Sequence, residues 1–169
     1  MSDLTGYREY VGGRLDQLRR TAYLLCGDWH TADDLVSTAL VKLLRHWRRV
    51  SAMDNIDAYV RRMLLRAWLD ERRRPWRREH VQARLPETVA RPGYDVADRL
   101  AVLALLAELP ARRRAVLVLR FFCDLSVEDT AEALGCTTGT VKSQTARALD
   151  TLRTRLGAAT SPEGIAWKN

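Results

Sequence analysis

Long apolar runs and paired cysteines are both missing from this sequence. No stretch approaches the ~20 apolar residues that cross a bilayer, and the first residues, MSDLTGYREY, lack the cationic and apolar segments of a signal peptide. The three cysteines, Cys26, Cys123 and Cys136, fit no C-x-x-C or zinc-ligand spacing, which excludes a disulfide framework. We therefore expect a cytoplasmic, reduced protein without membrane insertion.

Catalytic motifs are absent as well. The histidines His30, His46 and His80 are scattered, and the sequence has no H-E-x-x-H, no G-x-S-x-G and no phosphate-binding glycine loop. Asp33 and Asp34 are neighbours, so on a helix they would point about 100° apart, which suits no two-carboxylate site. The sequence predicts no catalytic residue, no metal site and no cofactor, and so a protein that is not an enzyme.

Arginine is what the sequence has in excess. Its 28 lysines and arginines outnumber 21 aspartates and glutamates, which gives a net charge of +7. Hydrophobic residues make up 47%, enough for a packed core. A basic soluble protein usually meets a polyanion, either nucleic acid or an anionic membrane surface, although such charge also serves solubility.

The first half of the chain has the apolar periodicity of helices. A first stripe ends at Gly27, a second begins at Thr31, and a third begins at Ile56. Thr31 with Asp34 three residues on resembles a capping box. The first two stripes consist of Leu15, Leu18, Ala22, Leu25 and Cys26, and of Ala32, Leu35, Val36, Ala39, Leu40, Leu43, Leu44 and Trp47. Three amphipathic helices with short connections predict a helical bundle over residues 1–74.

Proline and glycine then interrupt the pattern. Residues 75–97 hold three prolines and little periodicity, which favours a flexible linker, with a packed irregular arm as the alternative. Periodicity returns over residues 98–156, the predicted second domain, and residues 157–169 form a tail. The run 115–122 could suit a buried strand, but we interpret it as a helix because no partner strands are predicted. The expected fold is all-α, with two small helical domains joined by a flexible linker.

The second domain contains the pattern of a helix-turn-helix. Ser126, with Asp129 three residues on, can cap a short helix, and Gly135 can take the left-handed conformation at its end. A second helix then turns Val141 inward and leaves a polar, cationic face outward. The candidate reading set on that face is Thr138, Thr140, Lys142, Ser143, Gln144 and Arg147. Such donors suit base edges and phosphates of duplex DNA, and a solvated helix face is the alternative.

The third helix of the first half carries another basic surface. Arg62, Arg66 and Arg73 share one face, and only two acids occur over residues 61–78. A phosphate backbone would supply the missing counter-charge; the alternative is a solvent-exposed face. The candidate set on this surface is Arg61, Arg62, Arg66, Arg72, Arg73 and Arg74.

Two parts of the sequence together resemble a known family. The segments GDWHTADDLVSTALVKLLRHW and DAYVRRMLLRAWLDERRRPWRR resemble region two of extracytoplasmic-function (ECF) sigma factors of the sigma-70 family. The segment LPARRRAVLVLRFFCDLSVEDTAEALGCTTGTVKSQTARALDTLRTRL resembles their region four. The sequence is most similar to the actinobacterial SigE-like subgroup. The resemblance implies an RNA polymerase sigma factor, which directs core polymerase to specific promoters.

The resemblance also implies a role for each helix. The helix matching residues 31–47 would bind the clamp helices of the polymerase β′ subunit, through Asp34, Leu35, Ser37, Thr38, Val41 and Lys42. The arginine-rich helix would bind and help to melt the −10 element as single strand. The loop between these helices would take up a flipped base, through Val50, Ser51, Met53 and Asn55. The helix-turn-helix would read the −35 element as duplex and touch the β flap, and an anti-sigma factor is a further candidate partner.

Some positions depart from the family pattern. Ser37 and Thr38 occupy positions where the family usually has a glutamine and an acidic residue. Binding to polymerase is therefore expected to depend more on Asp34 and on neighbouring apolar residues. Arg66 replaces a common asparagine of the −10 helix, and Gln144 replaces a frequent arginine of the recognition helix. Glutamine can bond adenine through two contacts, so we expect an altered −35 sequence.

The linker length bears on the mechanism. About 23 flexible residues span roughly 25 Å, whereas two sites more than one helical turn apart need upwards of ~35 Å. Polymerase would therefore hold both domains on one promoter, and the protein alone is expected to have a mobile domain arrangement and feeble specificity. Two other hypotheses remain: a sigma mimic that binds an anti-sigma factor, and a polymerase-independent helix-turn-helix regulator. A small nuclease is a more distant one.

Overall fold

The computed structural model describes residues 2–73 and 96–159, with side chains for residues 4–73 and 101–157. Over these residues the predicted all-α fold is confirmed. The helices are α1 (Ser2–Cys26), α2 (Trp29–Val50), α3 (Ile56–Arg73), α4 (Val96–Glu108), α5 (Ala111–Leu117), α6 (Val127–Leu134) and α7 (Thr138–Ala159), and a π-helical turn (Val118–Phe122) continues α5. None of these described helices is long and apolar enough to cross a membrane.

The apolar stripes of α1, α2 and α3 meet in one core. Leu25, Leu43, Leu64 and Trp68 are fully buried there, and each such side chain contributes about 1.5–3 kcal/mol on leaving water. Leu15 and Leu44 correct the predicted stripes, since they are 37% and 43% exposed. They lie at the edge of their helices' apolar faces, where none of the described helices covers them fully.

The start of α2 also differs from the prediction. Asp28, and not Thr31, is the N-cap: its backbone is extended, and its carboxylate accepts hydrogen bonds from the Thr31 amide at 2.8 Å and hydroxyl at 2.7 Å. Thr31 lies inside the first turn and its hydroxyl is used as a donor, so it cannot cap. Gly27 ends α1 as predicted, with a φ of +80°.

The second domain confirms the helix-turn-helix. Ser126 accepts a hydrogen bond from the Asp129 amide at 2.9 Å, and Gly135 has a left-handed φ of +62°. Helices α6 and α7 pack on α5 through Ala131, Val141 and Val116, which are buried together.

The run 115–122 is helical, as interpreted, but its last turn is wider than an α-helix. The Cys123 amide bonds to the Val118 carbonyl at 3.0 Å, five residues back, and Asp124 follows with a φ of +53°. The widened turn places Phe121 and Phe122 on the surface.

Two helices extend a few residues past the predicted domain limits. The helix α4 begins at Val96, within the predicted linker, and α7 continues to Ala159, within the predicted tail. The rest of the predicted linker, residues 75–95, and the tail from residue 160 lie outside the described residues.

The two helical domains contact each other, which differs from the mobile arrangement that we expected. Helix α3 packs against α6, and α1 packs against α4, α5 and the π-helical turn. Leu25 of the first domain and Leu119 of the second share one core. The expectation considered only the linker, whereas apolar side chains of both domains hold them together.

Candidate nucleic-acid interfaces

The recognition helix α7 is fixed at its first turn. The Thr137 hydroxyl oxygen accepts a hydrogen bond from the Thr140 amide at 3.1 Å, which is the geometry of an N-cap. Val141 and Ala148 are fully buried beneath the helix, and Arg155 pairs with Glu108 of α4 at 3.0 Å. These contacts hold one face of α7 inward and leave the opposite face open.

The candidate reading set lies on that open face. Thr138, Lys142, Ser143 and Arg147 are exposed, and Thr140 and Gln144 are half-buried. Two of the hydroxyls are already used within the helix: that of Ser143 donates to the Thr140 carbonyl at 3.0 Å, and that of Thr140 bonds to the Thr137 hydroxyl at 2.9 Å. Their oxygens can still accept, but free donors are supplied chiefly by the lysine, glutamine and arginine.

The arginines of α3 are placed unequally. Arg66, Arg72 and Arg73 are exposed, and Arg72 lies over the buried Trp68 ring with its guanidinium carbon 5.6 Å from the ring centroid. Arg61 and Arg62 are half-buried; Arg62 pairs with Glu132 of the second domain, and Arg61 lines a cleft with Cys123 of that domain. Arg74 lies outside the described residues.

Side chains of α1 and of the loop before α3 hold the start of α3. The Tyr10 hydroxyl donates to Asp57 at 2.8 Å, and Arg14 pairs with the same carboxylate at 3.1 Å. Burial and the adjacent Asp57 carboxylate raise the pKa of Tyr10, so its hydroxyl stays protonated as the donor. The Asn55 side-chain oxygen accepts from the Ala58 amide at 2.9 Å. These contacts therefore hold the N-terminal end of the basic helix α3 in a defined position.

The predicted flipped-base loop needs one correction. Ser51, Met53 and Asn55 are exposed, but Val50 is completely buried at the end of α2. Its side chain packs into the core and cannot line an open pocket. Asn55 is also the cap of α3, so its side-chain oxygen already accepts one hydrogen bond, and a base would meet its NH₂ group or the second lone pair of that oxygen.

The outer face of α2 presents the predicted polymerase-binding residues, again with one correction. Asp34, Ser37, Thr38, Val41 and Lys42 are exposed. Leu35 is only 5% exposed and belongs to the core, because it lies on the inner stripe.

The outer face of α2 and the π-helical turn each present an apolar surface, and the one on the π-helical turn escaped the sequence analysis. On α2, Val41 and Leu44 are 52% and 43% exposed, and Leu44 and Leu4 border an open depression of about 460 Å³ with basic side chains of α2. Leu44 is part of the predicted apolar stripe of α2, but it lies at the edge of that stripe, about 100° round the helix from Leu43. The second surface consists of Phe121 and Phe122, at 61% and 60% exposure.

In the described part of the chain, no group of three or more histidine, cysteine, aspartate or glutamate side chains lies close enough to hold a metal ion.

Comparison with known proteins identifies the family. The Sigma-70 region 2 model matches residues 11–78, and the Sigma-70, region 4 model matches residues 99–152. The RNA polymerase sigma-E factor of Streptomyces coelicolor is 36% identical over 163 residues, 94% of this chain and 90% of that protein. The ECF RNA polymerase sigma factor SigM of Mycobacterium tuberculosis is 33% identical, over 83% of this chain and 72% of its own length.

A solved structure shares the fold. The sigma factor RpoE of Bartonella quintana, in complex with the anti-sigma factor NepR, superposes with a TM-score of 0.74 over 92% of this chain and 99% of that chain, at 24% identity. On the sequence matches, this chain belongs to the extracytoplasmic-function RNA polymerase sigma factors of the sigma-70 family, which are transcription initiation factors.

Proposed function

We propose that this sigma factor reads a promoter at two places. Residues 1–74 bind core polymerase and the −10 element, residues 98–156 bind the −35 element, residues 75–97 connect the two domains, and residues 157–169 form the tail. The observation that carries the proposal is a pair of basic surfaces on separate helices, one in each domain. Each alone would bind DNA weakly through phosphates, and polymerase supplies the scaffold that makes the pair selective.

At the −35 element, α7 enters the major groove of duplex DNA. Gln144 and Arg147 lie on the outward face and read base edges, and Lys142 contacts phosphate. The hydroxyls of Thr138, Thr140 and Ser143 complete the surface as hydrogen-bond acceptors. The supporting observation is that Thr137 and Val141 fix this helix while its outer face stays exposed.

At the −10 element, α3 binds the separated non-template strand. Its exposed arginines Arg66, Arg72 and Arg73 neutralise phosphates, with Arg61, Arg62 and Arg74 extending the surface. Ser51, Met53 and Asn55 receive the flipped base, whose unstacking costs a few kcal/mol.

The outer face of α2 binds the polymerase clamp helices. Exposed Val41 and Leu44 supply apolar contact area, and Asp34, Ser37, Thr38 and Lys42 surround it with polar groups. The second domain also touches the β flap. Because a similar fold is solved with an anti-sigma factor, we infer that this chain has such a partner too.

The remaining inferences follow from the family. The chain acts beside polymerase in the cytoplasm, needs no cofactor and catalyses no reaction of its own.

Run-off transcription on genomic fragments with purified core polymerase tests the proposal. We expect new start sites that require this chain, and permanganate reactivity at the −10 element that is lost with Arg73→Glu. The matched control is Arg20→Glu, the same charge reversal on an exposed arginine of α1. Tight binding to a palindromic duplex without polymerase, and no new start site with it, would contradict the proposal. That result would favour a polymerase-independent regulator.

A further inference from the structure

The flipped-base loop, residues 51–55, depends on the two helices that flank it for its position. All of its residues are exposed, and the Met53 amide donates to the Val50 carbonyl, only three residues back, at 3.0 Å. Among the described residues, the loop makes no hydrogen bond outside residues 47–59. So short a connection cannot absorb a shift of its ends, so the relative position of α2 and α3 sets its shape.

One link joins the two ends of the loop directly. Nη2 of Arg49, in the last turn of α2, donates to the Tyr59 hydroxyl, in the first turn of α3, at 3.2 Å. This hydrogen bond is exposed, so water competes for both partners and the bond holds the two helices only weakly.

A second link between the loop ends passes through α1. Tyr7 first fixes α1 on α2: its hydroxyl donates to the Leu40 carbonyl at 3.0 Å, and its ring meets the Trp47 ring edge-on, with centroids 5.6 Å apart. Three residues later, the Tyr10 ring packs on Trp47 with centroids 5.7 Å apart, and its hydroxyl donates to the Asp57 carboxylate at 2.8 Å. Tyr10 therefore contacts the last turn of α2 before the loop and the first turn of α3 after it.

The link through Tyr10 is the stronger of the two. Its acceptor is a carboxylate, and a hydrogen bond to an ionised group is roughly twice as strong as one between neutral groups. Arg14 pairs with the same Asp57 carboxylate at 3.1 Å and helps to hold it in place. At the other end, Trp47 is only 6% exposed and is packed in the core. The separation of the loop ends is therefore fixed more firmly by Tyr10 than by the exposed bond.

We propose that Tyr10 is a positioning residue for reading the −10 element: by holding Asp57 against Trp47, it sets the shape of the flipped-base loop between them. Tyr10 itself touches no base. Recognition is lost when the supporting residues let a site shift by more than roughly 0.5 Å or 10–20°, so the support of a loop can decide its selectivity. The role in base reading rests on the proposed function, whereas the effect on the loop ends does not.

A matched pair of hydroxyl deletions isolates the link. Tyr10→Phe keeps the ring on Trp47 and leaves Asp57 paired with Arg14, so only the bond from α1 to α3 is lost. Tyr7→Phe deletes the same group from the same helix, but the bond that it breaks goes to α2 alone. Both variants should fold, which their Tm checks.

Hydrogen exchange in the free protein measures the link without DNA or polymerase. The amides of Ala58 and Tyr59 are hydrogen-bonded at the start of α3, at 2.9 and 3.4 Å. In Tyr10→Phe their exchange should be about three- to tenfold faster than in the wild type, the range expected for one lost hydrogen bond. In Tyr7→Phe the change should stay below about twofold. Equal exchange in the two variants would overturn the link.

Base discrimination by the holoenzyme measures the functional role. Holoenzyme made with each variant binds single-stranded oligonucleotides that carry the −10 element of a start site found by run-off transcription. The set contains every single-base change and an abasic site at each position, which identifies the flipped base. We expect Tyr10→Phe to lose discrimination at that base about three- to tenfold, as for a side chain coupled to the site that it supports. Affinity for the oligonucleotide that is abasic there should stay unchanged.

The outcomes separate this inference from the proposed function. If the wild type binds all oligonucleotides alike, base reading by the loop is wrong, and the role of Tyr10 in it falls too. If the wild type discriminates and Tyr10→Phe discriminates equally, Tyr10 does not position the loop. A uniform loss that includes the abasic oligonucleotide would show a role in stability alone.

A double variant shows whether the hydroxyl acts through its carboxylate partner. Asp57→Ala should reduce base discrimination at least as much as Tyr10→Phe, because it removes the acceptor of the Tyr10 hydroxyl. Adding Tyr10→Phe to Asp57→Ala should then cause no further loss. Additive losses would contradict the positioning of the loop through this pair.

Discussion

The recognition helix offers a sharp test because alanine substitutions of Lys142 and Gln144 should change DNA binding in different ways. Both side chains project from α7 and hydrogen-bond no described residue, so truncating either to alanine removes contacts to DNA and few within the protein. Val141, directly before Lys142, stays buried and keeps the helix in place. A change in DNA binding can therefore be assigned to the side chain itself.

The two expected magnitudes come from different physics. Lys142→Ala removes one phosphate contact, so the slope of log K against log salt should fall by about 0.9, which changes the relative affinity about 3.5-fold between 50 and 200 mM salt. Gln144→Ala removes a two-contact bond to one base, worth about 1–3 kcal/mol or roughly 5- to 150-fold, but only on the preferred sequence.

Holoenzyme binding to duplexes that carry every single-base change in the −35 element would measure both effects. Lys142→Ala should weaken all duplexes equally and alter the salt slope. Gln144→Ala should flatten discrimination at one position and leave the slope unchanged. Arg20→Ala, which removes an exposed positive charge from α1, is the control for net charge. If both substitutions lower affinity equally on all sequences, Gln144 does not read a base.

Three other predictions concern polymerase contact, stability and pH. Val41→Asp combined with Leu44→Asp should weaken core binding at least tenfold in a pull-down titration, because exposed apolar contacts become charged, and Leu15→Asp on α1 should not. Asp28→Ala should cost about 1 kcal/mol of unfolding free energy, seen as a lower Tm, because the α2 amide cap is lost, and Asp34→Ala should not. Burial raises the pKa of Cys26 from 9.0 to about 11. Below pH 9 the Cys26 thiol is protonated in both the folded and the unfolded chain, so this shift does not affect stability. From pH 9 to 11 only the unfolded chain loses the Cys26 proton, so the free energy of unfolding should fall by up to about 3 kcal/mol. Cys26→Ala should remove this part of the alkaline loss in urea titrations at each pH.

Helical periodicity predicted the elements well because most apolar positions serve a single core. The stripes of α2 and α3 put Leu43 and Leu64 inside, and the turn chemistry of Ser126 and Gly135 marked the helix-turn-helix. These signals are local in the sequence, so they can be recognised without knowing which elements pack against each other in space.

The misplaced residues have a common physical cause. A stripe defines a face about 100° wide, and whether its edge is buried depends on which helix packs there. Leu44 was predicted to be buried and is exposed, whereas Leu35, which was predicted both for the apolar stripe and for the polymerase-binding set, is buried. Likewise, both Asp28 and Thr31 are suitable N-cap residue types, and the extended backbone at Asp28 decides that Asp28 caps α2.

The contact between the two domains was the feature that the sequence predicted least. Glu132 and Arg62 are seventy residues apart in sequence, and nothing local relates them. Arg114 was one of three adjacent arginines, and only the packing of α5 on α1 selects it for burial. Long-range placement of charge is decided by tertiary structure, so a residue-by-residue pattern could not reveal it.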